Sequence, residues 1–164
     1  PGIGKSTLAA DIFTYYKKQF VNIELVREYA KDLTWEERHN ILEKDQIYVF
    51  AKQHRIVARL IDKVEYIVTD SPILLSAIYL NEETTIYNPT IFYDLVIDTA
   101  NKYNNINILL KRNLNFKYEE SGRNQNQEEA IEMDNKIKSF LDKYNVYYKI
   151  SKCFIKIYRN SKQL

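Results

Sequence analysis

The chain has 164 residues, a formal net charge of +2, 45% hydrophobic residues and 28% charged residues. This length suits a single α/β domain over residues 1–164 and is too short for two. The small net charge gives no reason to expect a nucleic-acid or membrane partner, and no apolar run reaches the roughly 18 residues of a membrane-spanning helix. The one cysteine, Cys153, excludes a disulfide within the chain, so we expect a reducing, cytoplasmic location.

Apolar periodicity predicts helices that alternate with short strands along the chain. The predicted helices cover 8–20, 33–43, 45–62, 73–80, 89–103, 128–144 and 153–158. The predicted strands cover 21–26, 65–69, 107–110 and 146–150. Thr34 and Glu37 have the spacing of a capping box for the second helix. Strands that alternate with helices predict an α/β fold with a parallel sheet flanked by helices on both faces.

The first residues carry part of a phosphate-binding motif, the second half of G-x-x-x-x-G-K-[ST]. The match covers Gly2, Ile3, Gly4, Lys5, Ser6 and Thr7. Glycines let backbone N–H groups turn inward around a phosphate where a Cβ would obstruct them. Lys5 would reach the β- and γ-phosphates, and the Ser6 hydroxyl would ligate Mg²⁺. The pattern therefore predicts ATP and Mg²⁺ as ligands; the alternative is a chance Gly-Lys-Ser-Thr at a helix start.

The leading glycine of this motif, and the strand that should feed the loop, would both precede Pro1. The chain also starts without Met. We therefore expect an N-terminally truncated P-loop domain whose first strand is missing. Without that strand we expect poor stability and weak or absent ATP binding.

Two acids follow predicted strands, where ligands of open α/β sheets bind. Asp70 precedes Ser71 and Pro72, and it would either hold Mg²⁺ or cap the next helix. Glu28 would either accept the proton of an attacking hydroxyl or be a surface acid favoured by a helix dipole. For Glu28 the residue pattern alone does not choose between the two.

Four further polar residues are candidates for contacts with the nucleotide or its acceptor. Arg112 and Arg123 flank a polar stretch, and arginines on a closing lid stabilise a transferring phosphoryl group. Asp45 and Gln53 are eight residues apart, which places them roughly on one helix face, where they would suit a ribose or base. Loop arginines in a highly charged chain and a solvated helix face are the alternatives.

Taken together, the chain resembles the nicotinamide riboside kinase domain of NadR-type proteins and related small P-loop ATPase domains. The resemblance rests on Gly-Lys-Ser-Thr, Val26-x-Glu28-Tyr29-Ala30, Asp45 with Gln53, Thr69-Asp70-Ser71-Pro72, and Arg112 followed by Gly122-Arg123. It implies a nucleoside- or nucleotide-kinase-like enzyme that uses ATP and Mg²⁺ on a small acceptor. The P-loop residues would hold ATP, Asp70 would hold Mg²⁺, Glu28, Asp45 and Gln53 would lie on the acceptor side, and the two arginines would form the lid.

Two other functions compete with this expectation. A nucleotide-dependent binding or switch protein would keep the P-loop and Asp70 but lack transfer chemistry. A nucleic-acid 5′-end kinase would share the P-loop, yet the net charge of +2 and the lack of a Lys/Arg-rich patch count against it.

Overall fold

The computed structural model describes residues 2–112 and 126–152. Within these residues, helices and short strands alternate along most of the chain. The helices are α1 (Lys5–Lys18), α2 (Tyr29–Trp35), α3 (His39–Lys44), α4 (Gln46–Ala58), α5 (Leu74–Ile78), α6 (Pro89–Asn101) and α7 (Gln127–Lys143). The strands are β1 (Ile23–Val26), β2 (Tyr66–Thr69), β3 (Ile108–Lys111) and β4 (Lys149–Lys152). The predicted helix at 153–158 and the predicted strand ahead of Pro1 lie outside the described residues and stay predictions.

The strands pair in parallel, as the α/β prediction required, but they form two sheets. β1 pairs with β2, with Ile23 opposite Tyr66 and Val26 opposite Thr69. β3 pairs in the same way with β4. A cavity of about 500 Å³ is lined by both β2 and β3, together with Ile3 and Lys5 of the first loop. Within the described residues, the two strand pairs are not joined into one sheet.

The second predicted helix, 33–43, is the clearest error among the elements. The structure has α2 and α3 instead, separated at Glu37, whose φ of 58° is left-handed. The Arg38 N–H bonds the Leu33 carbonyl and the Glu37 N–H bonds the Thr34 carbonyl, a Schellman-type helix end. Thr34 lies inside α2 and donates its hydroxyl to the Ala30 carbonyl, so it is not the predicted N-cap. Glutamate rarely occupies the left-handed position of such a helix end, so no residue type at this position predicts the break.

The helical layer of α4 to α7 contains the main apolar core. Phe92 and Val96 of α6 are 2% and 0% exposed, and they belong to one cluster with Ile73 and Leu74 at the start of α5. Each such side chain contributes about 1.5–3 kcal/mol through burial. Because α5 begins four residues after Asp70, this core fixes the chain directly beyond the end of β2.

No described helix combines the length and the apolar character needed to cross a membrane.

Candidate functional site

The loop before α1 has the backbone of a phosphate cradle. Gly2 and Gly4 have φ values of 67° and 85°, in the left-handed region that a Cβ makes costly by about 1–2 kcal/mol. Gly4 is the N-cap residue of α1, a helix of 14 residues. The first N–H groups of a helix have no partner within it, and they carry a partial positive charge. The predicted loop thus presents backbone donors and Lys5 at the start of α1, which suits an anion such as a phosphate.

Ser6 and Asp70 meet although they are 64 residues apart in the chain. The Ser6 hydroxyl donates a hydrogen bond to Oδ2 of Asp70. Asp70 follows β2 directly, and α1 packs against β1 and β2, so the two elements bring these residues together. The alternative role of Asp70 as a helix cap is not observed, since the N-cap residue of α5 is Ile73 and no side chain caps it.

The surroundings of the second carboxylate oxygen of Asp70 indicate whether Ser6 and Asp70 can hold a metal ion. Within the described residues, Oδ1 is buried and has no hydrogen-bond partner, and an unsatisfied buried acceptor costs about 1–3 kcal/mol. A hydroxyl and a carboxylate are the hard oxygen ligands that Mg²⁺ prefers, and Mg²⁺ typically takes only one or two protein ligands beside phosphates and water. In the part of the chain that the structure describes, no cluster of three or more His, Cys, Asp or Glu residues offers a richer metal site. The residues present therefore fit a magnesium ion.

Glu28 lies at the same edge of the β1–β2 sheet. It stands between the end of β1 and the start of α2, as Asp70 stands after β2, and parallel strands end on the same side. Burial raises the pKa of the Glu28 carboxyl above its ordinary value; Asp70 raises it further, whereas Lys5 opposes the shift. The charges of Lys5 and Asp70 both act on Glu28, which lies at the same edge of the sheet as Asp70; a shared site for the three residues stays a prediction.

Asp45 and Gln53 do not form the shared face that their spacing predicted. Asp45 is exposed and caps α4, accepting a hydrogen bond from the Tyr48 N–H at 3.1 Å. Gln53 is only 3% exposed, and its amide bonds backbone groups of Arg27 and Tyr29. The Gln53 amide thus lies inside the protein with its hydrogen bonds made to the backbone, and substrate binding by Gln53 stays a prediction.

The Arg112 side chain, predicted to lie on a lid, forms an ion pair with Asp134 in the structure. Its Nε lies 2.7 Å from Oδ2 of Asp134 and its Nη2 lies 3.1 Å from Oδ1, a two-point ion pair. Nη2 also donates to the Ala130 carbonyl at 3.3 Å, and the Arg112 side chain is 10% exposed. The guanidinium thus joins the end of β3 to α7, and a lid role would require this pair to break. Arg123 and Gly122, the rest of the predicted lid, lie outside the described residues.

A comparison with protein families identifies the group to which the chain belongs. A family model described as an AAA domain matches residues 1–153. The chain is a member of this AAA domain family. No curated protein and no solved structure matches the chain. Because the family is of the P-loop NTPase type, membership agrees with the loop geometry and indicates nucleotide binding.

This AAA domain also contains site contacts that the sequence did not single out. Asp134 pairs with Arg112 across 22 residues, and the Tyr29 N–H bonds Gln53 across 24. Neither contact has a local signal, because both join elements that are distant in the chain.

Proposed function

We propose that this AAA domain transfers the γ-phosphoryl group of Mg-ATP to a small acceptor, a nucleoside or nucleotide-like molecule. The observation that carries the proposal is the meeting of Lys5, Ser6, Asp70 and Glu28 at one edge of the β1–β2 sheet. A phosphate loop alone would suit any nucleotide-binding protein. A partly buried acid beside it adds a group that can accept a proton.

ATP would be held mainly by backbone and by one cation. The N–H groups of the loop from Gly2 to Thr7 and the N-terminus of α1 would contact the β- and γ-phosphates. The Lys5 ammonium would bind the same oxygens as a mobile point charge. These contacts align the γ-phosphoryl group, and alignment supplies much of the catalysis in phosphoryl transfer.

Ser6 and Asp70 would hold the magnesium ion, the hydroxyl oxygen and Oδ1 of the carboxylate being suitable ligands. When bound, the ion neutralises charge on the β- and γ-phosphate oxygens. The role of Ser6 and Asp70 is to keep two oxygens in fixed positions, one on α1 and one at the end of β2.

Glu28 would act on the acceptor. As the acceptor oxygen forms its bond to the γ-phosphorus, its O–H bond breaks and the proton passes to the Glu28 carboxylate. The bond from the γ-phosphorus to the β,γ-bridging oxygen breaks, and its electron pair leaves with ADP. The raised pKa of Glu28 favours this step, since a carboxylate with a higher pKa is a stronger base.

The test is transfer of label from γ-labelled ATP to pooled nucleosides, nicotinamide riboside and nucleoside monophosphates. Lys5→Ala and Glu28→Gln should each lower labelled product by about 100-fold or more. Glu24→Gln is the matched control: Glu24 lies in β1 and pairs with Lys17 at 3.0 Å, so product should stay within about twofold. Mg-ATP binding without any labelled acceptor would overturn the proposal.

The engagement of Arg112 favours one alternative, a nucleotide-dependent switch. The Arg112 guanidinium is held by Asp134 and Ala130, and it would have to leave both to supply the transition-state charge that a kinase lid supplies. In a switch, Glu28→Gln and Arg123→Ala would leave ATP binding and biological activity unchanged. The panel of variants with Arg123→Ala added therefore separates the two functions.

A further inference from the structure

Gln53 is a polar side chain in an apolar location. It lies in α4, is 3% exposed, and is far in sequence from the residues it contacts. Burying an amide without partners costs free energy, so a buried glutamine needs partners for both its oxygen and its nitrogen. The hydrogen-bond partners of the Gln53 amide therefore indicate the role of this residue.

Both contacts fall on the backbone immediately beside Glu28. Oε1 of Gln53 accepts from the Tyr29 N–H at 2.8 Å, and Nε2 donates to the Arg27 carbonyl at 3.3 Å. One partner is a donor and the other an acceptor, which fixes the orientation of the amide. An apolar side chain of the same size would satisfy neither group.

The segment around Glu28 needs this support because regular structure does not supply it. The pairing of β1 with β2 ends at Val26, so Arg27 lies beyond the ladder. Tyr29 is the first residue of α2, whose N-cap residue, Glu28, is extended with φ −72° and ψ 116° and makes no side-chain cap. The first N–H groups of a helix have no partner within it. The side-chain oxygen of Gln53 supplies a hydrogen-bond partner for the Tyr29 N–H.

We propose that Gln53 is a positioning residue, which clamps the backbone on both sides of Glu28 and so places its carboxylate beside Lys5 and Asp70. The proposal deepens the proposed function and rests on it for the effect on turnover. Gln53 touches neither nucleotide nor acceptor; it acts through Glu28. It replaces the substrate contact that the sequence predicted for this residue.

The matched control is Gln46, a second buried glutamine of the same helix. Gln46 is 4% exposed, and its Nε2 donates to the Leu42 carbonyl, away from Glu28. Gln53→Met and Gln46→Met each remove a buried amide with little change in volume. Gln53→Met leaves the Tyr29 N–H and the Arg27 carbonyl without this partner, whereas Gln46→Met affects only the Leu42 carbonyl. Gln53→Met should therefore lose more stability, and only Gln53→Met should disturb Glu28.

Two measurements test the clamp. Hydrogen exchange at the Tyr29 amide should be about tenfold faster in Gln53→Met than in Gln46→Met. The kcat of phosphoryl transfer should fall by about 10- to 100-fold in Gln53→Met, with KM for ATP within about twofold. Gln46→Met should keep a kcat close to that of the unaltered protein. If Gln53→Met does not fold, Gln53→Glu replaces it: it keeps an oxygen for the Tyr29 N–H, so exchange should stay slow while kcat is intermediate.

Equal exchange at Tyr29 in the two methionine variants, or equal kcat, would overturn the proposal. If the unaltered protein transfers no phosphoryl group to any acceptor, the proposed function fails, and exchange at Tyr29 still decides whether the clamp exists.

Discussion

The ion pair between Arg112 and Asp134 allows a stability prediction with a magnitude. Asp134→Ala removes both carboxylate contacts, at 2.7 and 3.1 Å, and leaves a guanidinium that is 10% exposed. Removing one partner of a fully buried pair costs about 3–5 kcal/mol. Asp134 itself is 26% exposed, so water already screens part of the attraction, and the Ala130 carbonyl keeps one bond to Arg112. We therefore expect a loss of about 2–3 kcal/mol, below the fully buried range.

Asp98→Ala is the control for this measurement. Asp98 pairs with Lys102 at 3.3 Å on the surface of α6, where the two side chains are 70% and 71% exposed. Such i,i+4 pairs contribute about 0.3–0.5 kcal/mol. Urea unfolding followed by circular dichroism at pH 7 gives both free energies of unfolding. If the free energies of unfolding of Asp134→Ala and Asp98→Ala differ by less than about 1 kcal/mol, the Arg112–Asp134 pair does not hold β3 to α7.

Three further predictions concern the site. Burial raises the pKa of the Glu28 carboxyl above 4.5, so the folded chain holds the carboxyl proton more tightly than the unfolded chain does. As the pH rises through the raised pKa, Glu28 ionises in the folded chain and the free energy of unfolding falls. At pH 8, Glu28→Gln should then unfold at a higher urea midpoint than the unaltered protein, and at pH 4 the two midpoints should be equal. Equal midpoints at both pH values would contradict the burial of the Glu28 carboxyl. Ser6→Ala should weaken ATP binding about tenfold in Mg²⁺ and hardly at all in EDTA, measured by calorimetry; equal losses in both would remove Ser6 from the metal. Arg112→Ala should lower stability but change kcat by less than about tenfold, and a 100-fold loss would restore its lid role.

The parts of the site that could be predicted have local signals. Gly2, Gly4 and Lys5 form a contiguous motif whose residue types are dictated by phosphate geometry. Asp70 directly follows β2, Glu28 lies two residues after the end of β1, and parallel strands bring their carboxyl ends together. A reader of the sequence can thus locate the edge at which these side chains meet without knowing any long-range contact.

The features that the sequence did not predict depend on contacts between distant segments or on backbone conformations that are rare for the residue type. Gln53 and Asp134 find their partners 22 to 26 residues away, which no spacing rule reveals. The break at Glu37 uses a left-handed glutamate, and α7 ends in the same way at Asn145 with φ 52°. With 3 glycines in the chain, helix ends fall on other residue types, so the usual glycine signal is missing. The division into two sheets is likewise a tertiary feature, since each strand is predicted correctly on its own.

The most direct test of the central claim is calorimetric binding of Mg-ATP to the purified protein and to Lys5→Ala, followed by γ-label transfer to the acceptor panel. We expect saturable binding that Lys5→Ala weakens by about 100-fold, together with a labelled acceptor that disappears in that variant. Binding that is insensitive to Lys5→Ala would contradict the assignment of the first loop as the nucleotide site.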